Sequence, residues 1–86
     1  MTVQEVNVSN IETYNSLFIE ILELDQDQLG DDLVYQSVSN WDSVGHMQLT
    51  SALEDAFDIM LDTDDIIDFS SYSIGKEILG KYGVEL

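Results

Sequence analysis

The residues best suited to chemistry lie together in Asn40-Trp41-Asp42-Ser43-Val44-Gly45-His46-Met47-Gln48-Leu49, where a serine directly follows an aspartate and a histidine comes three places later. Asp42 and Ser43 are both good N-cap types. Leu49, Ala52, Leu53, Ala56 and Phe57 then recur at helical spacing, so the segment predicts a loop-to-helix junction at Ser43. A helix start leaves backbone N–H groups unpaired in a positive field, which suits a phosphodiester carried on Ser43. A carboxylate at Asp42 would stabilise the same helix start, or help hold a divalent metal while another enzyme transfers a phosphoryl group. A Ser-His hydrolase is a weaker reading, because Ser43 and His46 share one helical turn with no nucleophile elbow or oxyanion hole around them. His46 is expected beside Leu49 and Thr50 at the edge of the core. Considered alone, Ser43 would be an ordinary N-cap.

Other groupings carry less. Val44, Met47 and Ser51 follow three- and four-residue spacing on a face adjoining Ser43, offset from the Leu49, Leu53 and Phe57 stripe. Val44 and Met47 are therefore either a docking surface or core filler, and the adaptability of methionine favours docking. Asp25-Gln26-Asp27-Gln28-Leu29-Gly30 begins like a calcium loop, but Leu29 stands at its fifth position and Gln36 at its twelfth, where a bidentate Glu is needed. Asp62, Asp64, Asp65 and Asp68 form an acidic cluster whose first three members suit a helix N-terminus without any metal. No metal site is expected.

Three main helices and a short one must position these residues. Ser9 followed by Glu12 reads as a capping box, after which Ile11, Tyr14, Leu17, Phe18, Ile21 and Leu22 mark a first helix ending near Leu24. From Asp25 to Asp42 the periodicity fades into a long loop pinned by Leu29, Leu33, Val34, Tyr35, Val38 and Trp41, and loops of that length usually serve function. The second helix runs from the Asp42-Ser43 junction to about Asp58. Asp62 or Thr63 caps a short third helix with Ile66, Ile67 and Phe69, and Ser70 or Ser71 caps a fourth with Ile74, Ile78, Leu79 and Tyr82, closed by Gly83. Lys76 and Lys81 lie late in that helix, where cations suit its dipole. Strand alternation, hairpin dipeptides and proline are lacking, so the expected fold is an all-α small bundle forming one domain over residues 1–86.

The 86 residues are 44% hydrophobic, enough for one modest core. There is no cysteine, so any thiol chemistry must be imported. The formal net charge of −16, from 18 acidic residues against Lys76 and Lys81, argues against nucleic acid and membrane surfaces and for basic protein patches. The beginning Met1-Thr2-Val3-Gln4-Glu5-Val6-Asn7 has no basic n-region, and no stretch approaches the ~20 apolar residues of a membrane span, so a cytoplasmic monomer is expected.

The layout from the first helix near Asn10 to the last near Tyr82, with Asp42-Ser43-Val44 at the start of the second helix, resembles the acyl carrier protein family. The resemblance implies an acyl-carrier-type four-helix bundle whose motif serine, Ser43, bears a 4'-phosphopantetheine arm transferred from coenzyme A. The arm's thiol would carry acyl or aminoacyl groups as thioesters, consistent with a chain lacking cysteine. It also implies a non-catalytic role, with a phosphopantetheinyl transferase, an acyl or aminoacyl ligase, and an acyltransferase or synthase with basic docking patches as partners. Gly45 stands where fatty-acid carriers commonly have an acidic residue, and Asn40-Trp41 replaces the glycine pair of peptidyl carriers. The Trp-Asp-Ser-Val-Gly-His-Met run is more similar to stand-alone carriers of specialised pathways. The competing readings are an unmodified acidic helical adaptor, and a small enzyme for which His46, the sole histidine, offers little acid-base machinery.

Overall fold

The computed structural model describes the backbone of residues 3–86 and the side chains of residues 10–86. Four α-helices follow in order: α1 (Val3–Leu22), α2 (Ser43–Phe57), α3 (Thr63–Asp68) and α4 (Tyr72–Lys81), with a 3-10 turn at Gln26–Gln28 between the first two. Among the described residues no strand forms, and only an isolated antiparallel bridge joins Val34 to Ser71. The chain is thus all-α, and no described helix is long and apolar enough to cross a membrane.

The first helix differs from its expected start. Its backbone is already helical at Val3, so Ser9 lies inside α1 and is not its cap; the side chain of Ser9 lies outside the described residues. From Asn10 onward the spacing holds. Tyr14, Phe18 and Leu22, one turn apart, are buried against α2, whose Leu49 and Leu53 are fully buried in return. Each such Leu or Phe contributes about 1.5–3 kcal/mol by leaving water. Ala56 and Ile74, expected in apolar stripes, are exposed instead.

Aromatic rings occupy the centre. Phe18 meets Trp41 and Tyr72 edge-on at 5.5 and 5.3 Å, and Tyr14 lies 4.9 Å from Phe18. The Tyr14 hydroxyl donates to the Tyr72 carbonyl at 2.6 Å, satisfying a polar group buried in this apolar setting. Burial pushes the Tyr14 hydroxyl far above the usual phenol range. Gly75 lets α4 settle on this cluster, since a Cβ there would overlap the Phe69 ring and the Tyr14 hydroxyl.

The ends of the helices follow their caps. Ser71 Oγ accepts from Ile74 N at 2.9 Å to start α4; Tyr82 ends it, and Gly83 follows at φ +87. Phe69 falls just past α3 as its cap yet stays in the core. Asp65 lies in the first turn of α3, as expected, and has partners besides the helix dipole: it is only 8% exposed and is bound by Lys81 Nζ at 2.6 Å and by the Tyr82 hydroxyl, which in turn accepts from Asp62 N. Lys81 therefore does more than suit the α4 dipole; it ties α4 to α3.

Candidate functional site

The site is built around the start of α2. Asp42 is extended and caps the helix: its Oδ1 accepts from Gly45 N at 2.9 Å, and its carbonyl accepts from His46 N at 2.8 Å. These bonds from Gly45 and His46 fix the junction and leave Ser43, the first helical residue, exposed. Gly45 is buried where the incoming loop crosses, and a Cβ would overlap the carbonyl oxygen of Asn40, so the close approach of loop and helix requires glycine.

The long loop brings a second hydroxyl to the site. Tyr35 N donates to Ser70 O at 2.8 Å and Tyr72 N donates to Leu33 O at 2.9 Å, which fastens this loop to the α3–α4 joint. Gln36 turns the chain at φ +70 and donates to Trp41 O, while Asn40 Nδ2 donates to Leu22 O at 3.2 Å. The result sets Tyr35 Oη 3.4 Å from Ser43 Oγ. Trp41, fully buried, roots the loop in the core just before the junction.

His46 lies between the loop and α3. Trp41 Nε1 donates to its Nδ1 at 3.0 Å, and its Nε2 is 2.8 Å from the Ile66 carbonyl. The carbonyl can only accept and the indole N–H can only donate, so in this arrangement Nε2 is the donor and Nδ1 the acceptor. Both nitrogens are thereby committed away from Ser43. The Thr50 hydroxyl donates back to His46 O at 3.1 Å, completing the neighbourhood expected of that residue.

An open groove of about 360 Å³ runs from Ser43 between α2 and α3, lined by His46, Met47, Ile66, Ile67, Phe69 and Tyr35. Its walls are mainly apolar, with hydroxyls at the Ser43 end. Val44 and Met47 are 65% and 60% exposed, so neither fills the core, and Ile67 stands exposed on the facing α3. The structure thus brings Asp42, Ser43, Val44 and Met47 together on one side of the molecule. Sequence reading missed the groove's other half. Tyr35 is legible only as an apolar pin of the loop, and Ile66 and Ile67 as apolar residues of the short third helix, because contacts between separate segments, 8 residues apart for Tyr35 and Ser43 and 20 for His46 and Ile66, have no local signal.

Among the described residues no group of three or more His, Cys, Asp or Glu side chains could hold a metal, which includes the Asp25–Gly30 and Asp62–Asp68 segments. Asp65 is spent on Lys81 and Tyr82, whose hydrogen bonds hold its carboxyl below the usual carboxylate range. No family model, curated protein or solved structure matches the chain.

Proposed function

We propose that the protein is a free-standing acyl carrier protein that bears 4'-phosphopantetheine on Ser43 and hands thioester-bound acyl or aminoacyl groups to partner enzymes. The observation that carries this reading is an exposed serine on the first turn of α2, directly after its Asp42 cap and at the mouth of an apolar groove. An ordinary capping serine would hold the helix start itself; here Asp42 does that work and Ser43 Oγ stays accessible. In the attachment step Ser43 Oγ attacks the phosphorus of coenzyme A that bears the pantetheine. The bond from that phosphorus to 3',5'-adenosine diphosphate breaks, and the serine proton passes to a base of the transferase. The arm supplies the thiol that the chain lacks.

The residues present fit such a group. Ser43 Oγ opens to solvent, and the Tyr35 hydroxyl 3.4 Å away is positioned to donate to a phosphate oxygen on Ser43. Met47 and Ile67 offer apolar surface to what lies beyond. His46 has no free nitrogen for acid-base work, which supports a carrying role over catalysis. The acidic surface favours partners with basic rims, and specialised biosynthesis is the setting that the Trp41-to-Met47 run favours over housekeeping fatty-acid synthesis.

The test is intact mass after incubation with coenzyme A and a broad-specificity phosphopantetheinyl transferase. The wild type should gain one phosphopantetheinyl group, and Ser43→Ala should stay folded and gain none. No gain in the wild type, or a gain in the variant, would replace this reading with that of an unmodified acidic adaptor.

A further inference from the structure

Behind the groove the bundle is solid. Trp41, Phe18, Leu49 and Leu53 are fully buried and Phe69 nearly so. Phe69 reaches the groove wall from that core, and the His46 ring packs beside it. The His46 ring lies edge to edge with Trp41, nearly coplanar at an 18° tilt with centroids 6.3 Å apart, and meets Phe69 edge-on at 6.0 Å and Tyr35 at 5.5 Å. Its backbone belongs to α2, its Nδ1 accepts from the loop and its Nε2 donates to α3, so a single residue joins three segments.

A chain attached at Ser43 that entered the core from the groove, between α2 and α3, would have to part the contact of His46 with Ile66. Doing so would strand the Trp41 indole N–H and the Ile66 carbonyl beside hydrocarbon, and methylenes offer neither a donor nor an acceptor in exchange. The groove itself, by contrast, is already open and apolar, and needs no bond broken to receive a compact group.

We infer that His46 is a specificity-determining positioning residue that bars the bundle interior to whatever Ser43 bears, so that the carried group stays outside along Tyr35, Met47 and Ile67. The biological meaning rests on the carrier reading. The substrate class that follows is short or ring-shaped acyl and aminoacyl groups, which partner enzymes reach without first drawing them out of the protein. Long alkyl chains would gain no shelter here.

The barrier can be tested without the modification. Because the chain has no cysteine, Ser43→Cys provides a single thiol, to which methyl or dodecyl groups can be joined as mixed disulfides with alkyl thiosulfonates. Release by a water-soluble phosphine is followed by intact mass, with each adduct normalised to the same adduct on the urea-unfolded chain. A sheltered disulfide is slowed by the fraction of time it is exposed, so with His46 intact dodecyl release should stay within about threefold of methyl. Adding His46→Leu removes both ring bonds and should slow dodecyl release by about tenfold or more while leaving methyl unchanged. His46→Gln, whose amide can accept from Trp41 and donate to Ile66, should restore the wild-type pattern. Strong protection of dodecyl with His46 intact, or none with His46→Leu, overturns the inference; if His46→Leu fails to fold, His46→Ala takes its place in the same comparison with the same deciding outcomes.

A parallel arm separates the two readings. The wild type is loaded from acetyl- and octanoyl-coenzyme A with the transferase, and thioester cleavage by hydroxylamine is timed. Loading with equal cleavage supports both, and loading with octanoyl protected removes the barrier alone. Failure to load removes the carrier reading, and the alkyl disulfides then judge the barrier.

Discussion

At the residue scale, the junction before α2 depends on the absence of a side chain at Gly45. Alanine is the better helix former by about 1 kcal/mol, yet its Cβ would overlap the Asn40 carbonyl. Overlap with backbone should win, and Gly45→Ala is expected to lose about 1–3 kcal/mol in urea unfolding. An unchanged midpoint would mean that the loop yields easily. Asp65 makes a second point about single groups. Hydrogen bonds from Lys81 and Tyr82 hold its carboxyl low, so the folded protein binds that proton more weakly than the unfolded chain. The stability it contributes is complete above the unfolded carboxylate value and is lost as pH falls through the lowered folded value. Asp65→Asn should therefore melt below the wild type at neutral pH, and the gap should close on acidification below the ordinary carboxylate range. A gap independent of pH would show that shape rather than charge at this site matters.

At the element scale, α2 has two faces with different duties. Leu53 is fully buried, and Leu53→Ala should cost about 2–5 kcal/mol through lost burial and the cavity left behind. Met47 is 60% exposed on the groove side, so Met47→Glu should leave thermal melting nearly unchanged while impairing transfer to or from partner enzymes. A Met47→Glu protein that unfolds as badly as Leu53→Ala would refute this division. The same helix shows how far the sequence could be read. Its boundaries, its Asp42 cap and its Leu49–Leu53 stripe follow from local spacing, and so do the Ser71 cap of α4 and the Tyr14–Phe18–Leu22 face of α1. The start of α1 did not, because Val3 to Asn10 holds β-branched and asparagine residues that favour helices weakly, while Ser9 and Glu12 imitate a capping box. The partners of His46 and the approach of Tyr35 to Ser43 were beyond local pattern. They arise from how the loop and α3 pack, which spacing along one segment does not encode.

At the scale of the whole molecule, a net charge of −16 sits on a body with a radius of gyration of 12.4 Å. Among the described residues one ion pair, Lys81 with Asp65, offsets a little of it. Carboxylates this crowded repel one another, so added salt or millimolar magnesium should raise the melting temperature by screening. A flat or falling temperature across the titration would show that repulsion does not limit stability. The same field sets the reach of any basic partner, and association rates should fall as ionic strength rises. Such a partner would find apolar ground within the acidic surface at Val44, Met47 and Ile67, next to Ser43.

Trp41 is the only tryptophan in the chain, and its indole N–H ends on the imidazole of His46. The protein thus contains one indole fluorophore, which can be excited apart from the tyrosines, wired to the residue that closes the core and sitting two places before Ser43. Emission from it is a label-free gauge of the site. Events at Ser43 that shift the His46 ring should change its colour or brightness, while disturbances confined to the far end of α4 should leave it unaltered.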